Sequence, residues 1–240
     1  MRSALLLIAS LLSQSAFAAT TPPLYISTSF KPEIRARIQG DLKFMGSIIS
    51  DGKNSALHQE VFGSMSGSNY LKWFKQRINK ISSVSCGGNE NAVACVMPLF
   101  MGPHEMGVTK NYINTTSPLV ARVSILLHEA RHTEPHLPDP KDPNAKDERY
   151  WLHAKCPIPF LNAQGEERTS IWTGAVLSGK DACDSTVYGS YGVAVIFLKN
   201  MSQHCKNCNE KTREDAELYG SDQLTRIITP EAIQKITEDQ

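Results

Sequence analysis

The sequence predicts an α+β fold in which two buried helices pack against a small mixed sheet. Apolar side chains occupy nearly every side of the stretch 117–135 and dominate the stretch 181–203, which is expected of helices covered by other elements. Short β-prone runs at 86–99 and 107–113 precede the first of these helices, and a Gly-Gly turn interrupts the earlier run. Strands confined to one region, with helices before and after them, are typical of the α+β class.

The first buried helix has start and stop signals in the sequence. Ser117 is predicted to cap its free N–H groups, and Pro118 suits the first helical position, where no N–H is needed. Pro135 is predicted to end the helix, because a proline disfavours the helical conformation of the residue before it.

Four other segments are predicted to be helical. Apolar residues recur at helical spacing in residues 32–48 and 69–81, which predicts an amphipathic helix in each. A charged helix is expected over 209–218, and a short one is expected to begin at Pro230. Three prolines within residues 136–143 exclude a helix there and predict an irregular loop after the first buried helix.

The first 18 residues predict an export signal that is not part of the fold. A basic start at Arg2 is followed by a short apolar run and by Ala-Phe-Ala at 16–18, which has the form of a cleavage site. We expect a single domain over residues 19–240 that is periplasmic or secreted. After residue 18 the chain has equal numbers of acidic and basic side chains, which argues against nucleic acid or a membrane surface as a partner.

The chain has six cysteines, all after the predicted export signal. An even number of cysteines in an exported protein predicts three disulfides, although the sequence alone allows several pairings. Short separations favour Cys86–Cys95 and Cys205–Cys208, which leaves Cys156–Cys183 as the third pair.

The pattern His-Glu-x-x-His occurs at residues 128–132, inside the first predicted buried helix. Side chains four residues apart lie one turn apart on the same face, so His128 and His132 can bind one Zn²⁺ together. Glu129 stands next to the first histidine and can reach a water on the metal. Zinc lowers the pKa of such a water to about 7, and a carboxylate can take its proton as it attacks a carbonyl. We therefore predict His128 and His132 as metal ligands and Glu129 as the general base.

A catalytic zinc site usually has three protein ligands, and the sequence leaves the third open. Asp184 is preferred, because it is predicted to lie in the first turn of the second buried helix. Tyr188, four residues on, and Tyr191, seven residues on, would share its face, and a phenol there, Tyr188 by preference, could donate a hydrogen bond to an oxyanion. The alternatives for the third ligand are His136, His153 and Asp181, and His153 could instead shuttle a proton or contact the oxyanion.

With this motif the chain resembles the zincin metallopeptidases. The resemblance implies an active-site helix behind a small sheet whose edge strand holds the substrate in extended form. A carboxylate ligand on a downstream helix, as in the gluzincins, has its counterpart in Asp184, and residues 184–189 are similar to the aspzincin pattern of Asp followed by Tyr-Gly. The metzincin pattern is not matched, because position 138 is proline.

The expected function is therefore that of an exported, zinc-dependent metalloendopeptidase that acts on a peptide or protein. The alternative is a non-catalytic secreted binding or inhibitory module in which a metal only stabilises the fold. Four protein ligands around the metal would favour that alternative.

Overall fold

The structure is a computed structural model that describes residues 23–134 and 151–239. The predicted export signal and the predicted proline-rich loop lie outside the described residues. The helices are α1 (Pro32–Ser47), α2 (Ala56–Phe62), α3 (Gly67–Arg77), α4 (Pro98–Met101), α5 (Lys110–Asn114), α6 (Leu119–Arg131), α7 (Ser190–His204), α8 (Glu210–Leu224) and α9 (Pro230–Glu238). The strands are β1 (Tyr25–Ile26), β2 (Lys80–Ser83), β3 (Ala94–Cys95), β4 (Glu105–Val108), β5 (Ala154–Lys155) and β6 (Asp181–Cys183).

Four of the strands form a small mixed sheet in the order β1-β2-β4-β3. The pairs β1-β2 and β2-β4 are parallel, whereas β3 runs antiparallel to β4 at the edge of the sheet. The α+β class and the mixed sheet are thus confirmed. The strand predicted over 107–113 is only partly confirmed, because Thr109 caps a new helix by accepting a hydrogen bond from the Asn111 N–H.

The helix that carries the histidine motif, α6, is buried along nearly its whole length. The predicted cap at Ser117 is wrong, since Pro118 occupies the N-cap position. The start of the helix is held by Arg122, whose guanidinium donates to the fully buried carboxylate of Asp41 in α1, with Nη2 2.6 Å from Oδ1. The Tyr112 hydroxyl donates to the same carboxylate, so one buried ion pair joins α1, α5 and α6.

The second buried helix, α7, is shorter than the sequence indicates. The predicted start at 181 is wrong, because residues 181–183 form β6 and pair with β5. Asp184 then bonds to a different segment through its backbone: its N–H donates to the Arg226 carbonyl at 2.8 Å, and its carbonyl accepts from the Ile228 N–H at 2.9 Å. Long-range strand pairing therefore overrides the local tendency to form a helix until Ser190.

Two glycines explain how closely the neighbouring segments approach α7. A Cβ on Gly192 would overlap the Val187 carbonyl, so the chain entering α7 folds back against the helix at this position. A Cβ on Gly220 of α8 would lie 3.2 Å from Leu198, which places the two helices in close contact. The helix α8 extends to Leu224, beyond the predicted end at 218, and the helix predicted at Pro230 is confirmed.

All three expected disulfides are present: Cys86–Cys95, Cys156–Cys183 and Cys205–Cys208. They indicate an oxidising compartment. The second of them closes residues 154–183, which we call the small lobe and which has its own apolar cluster around Phe160 and Leu177. Within the described ranges, no helix combines the length and the apolar character that crossing a membrane requires.

Candidate metal centre

Three histidines converge at the base of a cleft beside α6. His128 and His132 project from the same face of the helix, as the motif predicts, and their ring centroids are 5.1 Å apart. His153, just before β5 of the small lobe, points its Nε2 between them. This atom is 3.2 Å from the Nε2 of His128 and 3.2 Å from the Nε2 of His132. Three potential ligand atoms thus lie within 4.8 Å of one another.

Two of the three spacings between these nitrogens, those that involve His153, fit a tetrahedral metal ion. Nitrogens that are each 2.0–2.1 Å from a tetrahedral zinc ion lie about 3.3–3.4 Å apart. The two distances of 3.2 Å are close to this value. Three histidines with one position left for water are also a common ligand set of catalytic zinc.

Hydrogen bonds on the far side of the rings determine which nitrogen is free to bind a metal. The Nδ1 of His132 faces the Trp151 carbonyl, and the Nδ1 of His153 lies 3.0 Å from Oδ1 of Asp184. Both partners are acceptors, so each Nδ1 carries a proton, and a neutral ring held in this way presents a bare lone pair at Nε2. For His128, the backbone of Ser190 partly opposes the lowering of its pKa by burial.

Two lone pairs that face each other at 3.2 Å repel unless a cation lies between them. Protonation of His132 does not remove this repulsion near neutral pH. Burial, and to a lesser extent the charge of His153, lowers the pKa of His132 to about 3. Burial likewise lowers the pKa of His128 well below its usual value, with His153 and His132 adding to the effect. A metal ion that accepts all three lone pairs would satisfy the cluster.

Asp184 is buried directly behind His153 rather than among the converging nitrogens. Its Oδ1 accepts from His153, and its Oδ2 accepts from the backbone N–H of Tyr191 at 2.7 Å. One carboxylate thus orients the imidazole and also satisfies a free N–H in the first turn of α7. The order carboxylate, histidine, metal is a common outer partnership in zinc sites.

Glu129 is buried at the floor of the same cleft, on the side that faces the sheet. Burial raises the pKa of its carboxyl to about 8, and a hydrogen bond from the Val96 backbone partly opposes this effect. Val96 directly follows the edge strand β3, so the carboxyl connects the histidine helix with the edge of the sheet. A carboxyl that is poised near neutral pH beside a metal cluster is well suited to transfer protons.

The cleft above the cluster has a volume of about 910 Å³. Its lining includes the edge strand, Leu152, and residues of the small lobe such as Val176. Tyr191 and Arg226 line a third side. The Tyr191 ring lies 4.6 Å from the His128 ring and 4.7 Å from the His153 ring, between centroids.

The other residues that the sequence singled out lie farther from the cluster or outside the described part. The Tyr188 hydroxyl contacts Glu60 at 2.9 Å and Lys235 at 2.5 Å, beside a separate cleft of about 390 Å³ between α2 and α9. Asp181 lines the large cleft but is exposed. His136 lies outside the described residues.

Of the two residues on the third side of the cleft, the sequence marks only Tyr191. It follows Asp184 by seven residues and so shares the predicted helical face with Tyr188, which the sequence favours as the oxyanion donor. Arg226 lies far along the chain, just after α8, and no motif marks it. Only the backbone pairing of Asp184 with residues 226–228 brings this arginine to the site.

Comparisons of the chain with protein families, with curated proteins and with solved structures found no match. The chemistry of the site must therefore be argued from its own geometry.

Proposed function

We propose that this protein is an exported, zinc-dependent peptide hydrolase of the zincin type. The observation that carries the proposal is the convergence of three imidazole Nε2 atoms, each from a buried or half-buried ring, beside the buried carboxyl of Glu129. The cleft over this cluster is open to a substrate along the edge strand of a mixed sheet.

The proposed ligands are His128, His132 and His153. This assignment replaces Asp184, the ligand preferred from the sequence, by the histidine that Asp184 orients. It is supported by the two Nε2 distances of 3.2 Å and by the position of both Asp184 oxygens, which already accept hydrogen bonds from His153 and Tyr191. Three neutral imidazoles suit zinc, which binds histidine nitrogen in tetrahedral sites.

Zinc, when bound, would supply a water of lowered pKa and would polarise the carbonyl of the scissile bond. Glu129 takes the proton of the attacking water and then passes it to the leaving amine. Its high pKa in the buried site makes both the uptake and the release of a proton accessible near neutral pH.

Tyr191 replaces Tyr188 as the proposed hydrogen-bond donor to the oxyanion. Its hydroxyl oxygen accepts a hydrogen bond from Nη1 of Arg226 at 2.7 Å, which leaves its own hydrogen available. Its ring lines the cleft, meets the His128 ring edge to face and stacks on the His153 ring, beside the proposed ligands. A donor held by a guanidinium behind it is well placed to stabilise negative charge.

A peptide is the proposed substrate because of the edge strand. β3 pairs with β4 on one side, and residues 92–97 around it line the cleft. An extended peptide can add to such an edge through backbone hydrogen bonds, which would place its carbonyl groups along the cleft toward Glu129.

The test combines metal content with a substitution that keeps the shape of the site. The purified mature chain should contain one zinc per molecule and should cleave a mixed peptide library. Glu129→Gln should keep the zinc and the thermal stability but lose nearly all cleavage, because the amide cannot act as a base. A chain without zinc contradicts the metal site. A zinc-bound chain whose Glu129→Gln variant behaves like the wild type points instead to a non-catalytic module.

A further inference from the structure

The third wall of the cleft contains a buried positive charge with unused hydrogen-bond donors. Only 4 % of Arg226 is exposed. Its Nη1 donates to the Tyr191 hydroxyl, and its Cζ lies 4.8 Å from the centre of the Tyr191 ring. Within the described part of the chain, its Nε and Nη2 have no hydrogen-bond partner.

Among the residues that the structure describes, no carboxylate accepts a hydrogen bond from this guanidinium. The nearest acidic contact among the described residues is Asp222, whose Oδ2 is 4.0 Å from Nε. That distance is too long for a hydrogen bond, and the same oxygen accepts one from the Gln223 side chain at 2.8 Å. An arginine remains charged at any ordinary pH, so the cost of burying it is not avoided by deprotonation.

The surroundings of Arg226 favour an anionic ligand. The Tyr191 ring contacts both the Arg226 guanidinium and the His128 imidazole: its centre lies 4.8 Å from Cζ of Arg226 and 4.6 Å from the centre of the His128 ring. The guanidinium therefore lies at most about 9.4 Å from the His128 ring, the sum of these two distances. A metal cation held by the histidines and this guanidinium would both attract an anion into this part of the cleft. A carboxylate meets both needs, because its two oxygens match the fork of N–H donors on an arginine.

We propose that Arg226 forms a carboxylate-binding subsite on the wall of this cleft and selects peptides that carry a carboxylate close to the bond to be cleaved. This inference rests on the proposed peptide-hydrolase function. At about 3.5 Å per extended residue, a separation of at most about 9.4 Å corresponds to a carboxylate within roughly two or three residues of the scissile bond. The carboxylate is supplied either by the C-terminus of the peptide or by an acidic side chain.

The test measures binding, so that it does not depend on turnover. Three probes are titrated calorimetrically into the zinc-loaded Glu129→Gln protein and into its metal-free form: acetyl-tetraalanine with a free carboxylate, the same peptide as its amide, and the amide of acetyl-Ala-Ala-Asp-Ala. We expect at least about tenfold tighter binding of a probe that bears a carboxylate, as for a charge-assisted pair in a buried site. Preference for the first probe identifies a C-terminal carboxylate, and preference for the third identifies an acidic side chain.

The variants Arg226→Gln and Arg226→Lys show whether this residue is responsible. In the glutamine variant, the carboxylate and amide probes should bind with about equal affinity. The lysine variant should retain part of the preference for the carboxylate, because lysine keeps the charge but not the fork of N–H donors. Lys180→Gln is the matched control, since Lys180 is an exposed cation that lines the same cleft, and it should leave the preference unchanged.

The proposal is overturned if no probe binds, if the acid and amide probes bind equally to the parent protein, or if Lys180→Gln removes the preference as fully as Arg226→Gln. Equal affinity for the acid and amide probes is measured on the Glu129→Gln protein alone, so this outcome contradicts the proposal even if an Arg226 variant fails to fold. Zinc content and the comparison of Glu129→Gln with the wild type are both measured in proteins that keep Arg226, so failure of the subsite is distinguishable from failure of the proposed function.

Discussion

Substitution of Asp184 and of His153 separates the metal ligand from the residue that orients it. If His153 binds zinc and Asp184 only holds its ring, His153→Ala should weaken zinc binding more than any change at Asp184. If Asp184 is the ligand, as the sequence suggested, the order should be reversed. Both variants leave the motif histidines untouched.

The size of the Asp184→Asn effect follows from its two hydrogen bonds. The carboxylate accepts from His153 Nδ1 at 3.0 Å and from the Tyr191 N–H at 2.7 Å, one on each oxygen. An asparagine has only one oxygen, so its amide group would face one of these donors and leave it unpaired. Loss of an outer partner of this kind weakens metal binding by about 10–100-fold. The unpaired buried donor should also lower the free energy of unfolding by about 1–3 kcal/mol.

The assay is competition for zinc between the protein and a chromophoric chelator of known affinity. Asp181→Asn is the matched control, because Asp181 is an exposed carboxylate near the same strand end, and its zinc dissociation constant should not change. A dissociation constant that rises more in Asp184→Asn than in His153→Ala would refute the assignment of His153 as the third ligand.

Three further substitutions test the packing around the site and the core. Replacing both Cys156 and Cys183 by serine should raise the zinc dissociation constant at least about tenfold, because this disulfide closes the lobe that leads to the third ligand and its carboxylate. Replacing Cys205 and Cys208 by serine is the control, and it should leave the zinc dissociation constant unchanged in the chelator assay. An equal rise in both double variants would contradict this reasoning. Burial lowers the pKa of His58 to about 4 in the folded protein, so the unfolded chain binds the proton at a higher pH than the folded chain does. The free energy of unfolding should therefore fall as the pH drops from 6.5 to 4, by about 3 kcal/mol at most. Urea unfolding at pH 7 and pH 4.5 should show a smaller loss for His58→Gln than for the wild type, and equal losses would refute this role. Gly192→Ala should lower the unfolding free energy by more than about 1 kcal/mol, since a Cβ would overlap the carbonyl packed against it; an unchanged urea midpoint would contradict the close approach.

Features that depend on neighbours in the chain could be predicted from the sequence. The pair His128 and His132 is one example, because the helical repeat alone places residues four apart on one face. The disulfides Cys86–Cys95 and Cys205–Cys208 join cysteines separated by short stretches, and the third pair follows once these two are formed. Local β-prone runs likewise predicted the region of the sheet, although they did not predict where each strand ends.

Features that depend on pairing between distant segments could not be predicted in this way. The apolar content of residues 181–203 predicted one long helix, but its first residues pair with β5 instead, and the helix starts at Ser190. Asp184 therefore lies before the helix and does not share a helical face with Tyr188. The oxyanion donor preferred from the sequence therefore lies at a different cleft, beside Glu60 and Lys235.

By itself, the sequence of this protein determined the helix that presents two imidazoles and a carboxyl, because a regular helix converts spacing into direction without help from the rest of the chain. Only the tertiary structure decided what completes the site. His153, Asp184 and Arg226 come from three separate segments, and they meet because of a two-stranded pairing, a disulfide and one backbone bridge. Contacts of this kind depend on which segments pack together, and no local pattern in the chain records that choice.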